Sequence, residues 1–105
     1  MKFKMNDREW EIKEVSQEEM FAWYKEEGTG YYYGQTHFST QEIWLSNELS
    51  NEQKRKTLYH ELMHCYIRMF ITMQDLEYNE ESLCDISANS HDIIHKIVKE
   101  YFKEK

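Results

Sequence analysis

His60, Glu61 and His64 have the residue types and spacing to bind a metal ion and activate a water molecule. They form a His-Glu-x-x-His pattern within a stretch of helical periodicity. On a helix, residues four apart lie on one face, so both imidazoles can reach the same ion. Glu61 stands beside them as the general base, taking a proton from a water acidified by the ion and later giving it to a leaving amine. A catalytic Zn2+ usually takes three protein ligands and keeps one position for water. The expected third ligand is Glu81, on the next helix. Asp85 is four residues further on and shares its face. It is placed to accept a hydrogen bond from the far ring nitrogen of a ligand histidine, which would fix that ring's tautomer. A developing oxyanion needs one more donor. His91, His95, Tyr78 and Tyr31 to Tyr33 are candidates, and the spacing singles out none of them.

These residues need elements to position them. Ser50-Asn51-Glu52-Gln53 has the form of a capping box and predicts a long helix to about Ile71, with Leu58, Leu62, Cys65 and Met69 as its core stripe. Asn79 caps a last helix in which Ile86, Ile93, Ile94, Ile97, Tyr101 and Phe102 form the apolar stripe. The segment from Thr72 to Tyr78 turns the chain between the two helices. Upstream, Phe3–Met5 and Glu9–Val15 alternate around the turn signal Asn6-Asp7 and predict a hairpin. Ser16-Gln17-Glu18-Glu19 opens a short helix, roughly Gln17 to Glu27, which Gly28 ends. Met20, Phe21, Trp23 and Tyr24 supply its buried face. Tyr31–Phe38 and Gln41–Ser46 predict two strands, the second serving as an edge beside which a peptide could add. Strands followed by helices describe one small α+β domain over residues 1–105: an antiparallel or mixed sheet carrying an active-site helix and a long C-terminal helix, a minimal zincin-like frame.

Composition narrows the function classes. The 105 residues carry 20 acidic and 13 basic side chains, a net charge of −7, and no basic stripe. Direct nucleic-acid binding and anionic membranes are therefore disfavoured as partners. No apolar run approaches membrane-spanning length, and the N-terminus lacks the apolar stretch of a signal peptide, so a cytoplasmic location is expected. Cys65 and Cys84 are the only thiols. Both are expected to be buried structural cysteines in a reduced protein rather than a disulfide or zinc ligands.

Thr57-Leu58-Tyr59-His60-Glu61-Leu62-Met63-His64, followed by Glu81-Ser82-Leu83-Cys84-Asp85-Ile86-Ser87-Ala88, resembles the ImmA/IrrE-type metallopeptidases of the gluzincin group. Cys84 stands where that pattern has its first alanine. Gln41–Ser46 is similar to the family's strand flanking the cleft. The resemblance covers about residues 31 to 95 and implies a zinc-dependent endopeptidase, with Glu81 as the third ligand. It also implies a protein or peptide substrate, a DNA-binding repressor among them, and a phage or mobile-element setting. The alternative is a catalytically silent phage protein, stabilised by its metal, that binds a host protein.

Overall fold

The computed structural model describes residues 1–24, 30–71 and 79–103, with the Tyr24 side chain left aside. Strands β1 (Lys2–Met5) and β2 (Arg8–Val15) form the expected hairpin. Its two-residue turn has Asn6 and Asp7 at φ 50° and 64°, the left-handed pair that matches the twist of flanking strands. Helix α1 (Gln17–Tyr24) then carries the chain across the sheet. The predicted end of that helix at Glu27 and its stop at Gly28 fall outside the described residues. Strands β3 (Gly34–His37) and β4 (Glu42–Ser46) form a second, antiparallel hairpin.

The strand order is β1-β2-β4-β3, with β2 and β4 parallel and the other two pairings antiparallel. The sheet is therefore mixed, within an α+β fold of four strands and, among the described residues, three helices. This order corrects one expectation: Gln41–Ser46 is an interior strand, and the edge on this side of the sheet is β3. Strand β3 is also shorter than Tyr31–Phe38. Gln17 explains the shortening, because its side chain accepts from the Tyr32 N–H at 3.0 Å and donates to the Tyr32 carbonyl, occupying groups a strand would use for pairing.

Helix α2 (Asn51–Phe70) starts at the predicted capping box, with Ser50 and Gln53 bonded reciprocally. It lies on the sheet face lined by Phe3, Met5, Trp10, Ile12, Ile43 and Leu45, burying Leu58, Leu62 and Cys65 there. Helix α3 (Glu80–Lys103) packs against α2 and closes the same core with Ile86, Ile94, Ile97, Val98 and Tyr101. Ile93, expected in that stripe, is exposed instead. Glu14 of β2 ties the layers together: it binds Lys54 of α2 at 2.7 Å and accepts the Tyr101 hydroxyl of α3. On the opposite sheet face, α1 buries Met20 completely, while Trp23 stacks on His37 at 4.1 Å and remains partly exposed.

Candidate metal centre

The middle of α2 faces three ways. Leu58, Leu62 and Cys65 point into the core, Glu61 points toward β3, and His60 and His64 project to solvent beside it. The three polar residues offer donor atoms within 4.8 Å of one another, a group that can hold a metal ion. The two Nε2 atoms are 3.3 Å apart, with the rings nearly perpendicular at 79°. Two nitrogens bound to one tetrahedral zinc at about 2.05 Å would be separated by about 3.3 Å, so the pair already has the spacing such an ion requires.

Glu61 is only 6 % exposed although it belongs to a charged residue type. Thr36 of β3 supplies its partner: the hydroxyl lies 2.7 Å from Oε1 and donates to it. The other oxygen, Oε2, faces His60 Nε2 at 3.8 Å. One carboxylate oxygen is thus anchored to the strand and the other is turned toward the histidines. Gly34 makes this approach possible. A Cβ at that position would stand 2.6 Å from Thr57 Cγ2 and 3.0 Å from Glu61 Cγ, so only glycine lets α2 sit this close to β3. Sequence reasoning missed both supporting residues. A glycine inside a strand pattern was the available signal for Gly34, whereas nothing local marks Thr36.

An open cleft of about 500 Å³ runs over this group, lined by Tyr32, Gly34, Gln35, Thr36 and Phe38 from the β3 segment and by His60, Glu61 and His64 from α2. A second hollow of about 420 Å³ continues it past Thr57, sharing Tyr32, Gly34, His60 and Glu61 and adding Tyr31, Tyr33 and Lys56. Of the candidate oxyanion donors, the cleft therefore contains the Tyr31–Tyr33 segment. His91 and His95 are on α3, their rings stacked 5.5 Å apart, and neither lines it. Tyr78 lies outside the described residues.

The structure does not bring Glu81 or Asp85 into the group. Both are exposed in the first turns of α3. The Tyr59 hydroxyl meets His95 Nδ1 at 2.7 Å and the Arg55 guanidinium covers the Phe102 ring at 4.6 Å, which fixes the antiparallel register of α2 and α3. At 1.5 Å per residue, that register carries Glu81 about 13 Å beyond the level of His64. Residues 72–78, which lead into α3, are outside the described set. The cysteines divide. Cys65 is fully buried, and burial, with the nearby Glu61 charge adding to it, pushes its thiol up to about 12, so it stays protonated and inert. Cys84, expected to be buried, is exposed.

Among the described residues, no helix is long and apolar enough to cross a membrane. In comparisons with known proteins, the chain matches no family model, no curated protein and no solved structure.

Proposed function

We propose that the protein is a zinc-dependent peptidase whose site is centred on His60, Glu61 and His64. The observation that carries this is the 3.3 Å spacing of the two Nε2 atoms beside a buried carboxylate anchored by Thr36. A zinc ion held there would supply Lewis acidity, acidifying a water and polarising a carbonyl. His60 and His64 bind the ion. Glu61 takes the water's proton at Oε2 and delivers it to the departing amine, while Thr36 keeps Oε1 in place. A peptide enters as an added strand along the outer edge of β3, whose backbone groups on that side face outward.

The Tyr59–His95 and Arg55–Phe102 contacts hold α3 in a register that keeps Glu81 away from His64, so the protein ligands in this proposal are the two histidines, with the carboxylate of Glu61 beside them.

The test compares zinc-loaded wild type with Glu61→Gln on a mixed peptide library, with products identified by mass spectrometry. Cleavage by the wild type and its loss in Glu61→Gln, with zinc content unchanged, is expected. A wild type that holds zinc and cuts nothing would overturn the peptidase assignment and favour a metal-stabilised binding protein.

A further inference from the structure

The part of the cleft beyond Thr57 is not used by the metal chemistry described above, and it has a distinct character. Tyr31 and Tyr33 are large apolar side chains left 46 % and 53 % exposed, yet they are held in place. Their rings meet edge to face, with centroids 5.0 Å apart. The Tyr31 hydroxyl is 3.1 Å from the Oγ of buried Ser46, and the Tyr33 carbonyl accepts from the Ser46 N–H at 2.9 Å. The segment between them is clamped by Gln17 through both backbone groups of Tyr32. Lys56 stands at the rim on α2, paired only loosely with Glu52 at 3.8 Å, so its alkyl stem is free to close the wall. The hollow holds about 420 Å³ and opens directly onto Glu61 and His60.

A rigid pair of half-exposed rings next to a reactive centre is a preformed receptor for a third ring. Edge-to-face contacts between aromatic rings add to area burial, and here the ordering cost is met before a ligand arrives. Resting on the peptidase proposal, we infer that this half of the cleft is the specificity subsite and takes an aromatic side chain, Phe, Tyr or Trp, from the residue flanking the scissile bond. Tyr31 and Tyr33 select this residue, while His60, Glu61 and His64 act on the neighbouring bond.

The experiment uses full-length, zinc-loaded Glu61→Gln protein, which binds without turnover. The probes are fluorescein-labelled peptides differing only in Phe, Leu or Ala at one central position, and fluorescence anisotropy reports binding. The Phe peptide is expected to bind about tenfold tighter than the Ala peptide, with Leu between them. Adding Tyr31→Ala and Tyr33→Ala should erase that preference while leaving zinc content and the thermal midpoint near those of the parent. Equal affinity for the Phe and Ala peptides in the parent would overturn the inference, and so would a preference that survives the double substitution. Library cleavage without aromatic selection would sink the subsite alone and leave the peptidase standing. A Phe preference in a protein that cuts nothing would keep the subsite and remove the peptidase.

Discussion

Gly34 is the residue on which the candidate site most depends without taking part in its chemistry. The contact it permits, α2 against β3, is what places Thr36 on Glu61. Gly34→Ala should push Glu61 away from the strand, because the clash is with Thr57 Cγ2, Glu61 Cγ and the Trp44 carbonyl together. The expected result is a fall of roughly tenfold or more in peptide cleavage with zinc content retained, since displacements of about 1 Å in a catalytic group can be this costly. Removing only the hydroxyl, in Thr36→Val, leaves the helix–strand contact in place and should act on the same readout by about 1.5 kcal/mol, the worth of one hydrogen bond to a carboxylate. Much of the site was legible at this scale. His60, Glu61 and His64 were readable because their relation is local, one turn of one helix. Thr36 was not, because its partner is 25 positions away in sequence and only the folded sheet brings the two together.

At the scale of elements, the hairpin turn, the capping box and the two long helices follow from local residues and match what the sequence predicts. The strand order does not. A parallel β2–β4 pairing depends on which way α1 crosses the sheet, and no local signal reports it. For that reason the expected edge at Gln41–Ser46 became interior and β3 took its place. The Glu14 junction of β2, α2 and α3 is likewise a product of the assembled layers. Tyr101→Phe removes a hydroxyl donated to a partly buried carboxylate and should cost about 1.5 kcal/mol in chemical denaturation. Behind the sheet, His37 is packed against both Trp23 and Trp44, which also meet each other, and its Nε2 meets Gln35 Oε1 at 2.9 Å. Burial lowers its pKa, against a smaller raising influence from Glu42. The unfolded chain therefore binds a proton at about pH 6.5 that the folded chain refuses until lower pH. Stability from this residue is full above about 6.5 and declines as the pH falls toward the folded value. Thermal midpoints should drop between pH 7 and pH 5, and His37→Gln should flatten that slope. An unchanged slope would assign it to other groups.

For the whole molecule, a frame of 105 residues has one core, and that core covers α2 more completely than it covers the first turns of α3. The sequence could not report this unevenness. It shows the stripe of α3 but not how wide a face the core covers, and Ile93 and Cys84, to the side of the buried Ile86, Ser90, Ile94, Ile97 and Tyr101, are exposed against expectation. A metal ion held on α2 would add to the stability of this small frame, because a ligand that binds the folded state alone contributes in proportion to the logarithm of one plus its free concentration over its dissociation constant. Zinc at a hundredfold excess over its dissociation constant should contribute about 2.7 kcal/mol. That corresponds to a rise of roughly 10 °C in the thermal midpoint for a domain of this size. A chelator should reverse it, and Glu81→Ala should leave it unchanged. A smaller rise in Glu81→Ala would bring that carboxylate into the site as a third ligand. The decisive quantity is the zinc content of the purified chain after equilibration with free zinc, wild type beside His64→Ala. One zinc per wild-type chain and almost none in His64→Ala is the expected result. A wild type that retains no zinc, or a His64→Ala variant that retains as much, would contradict a metal centre at His60, Glu61 and His64.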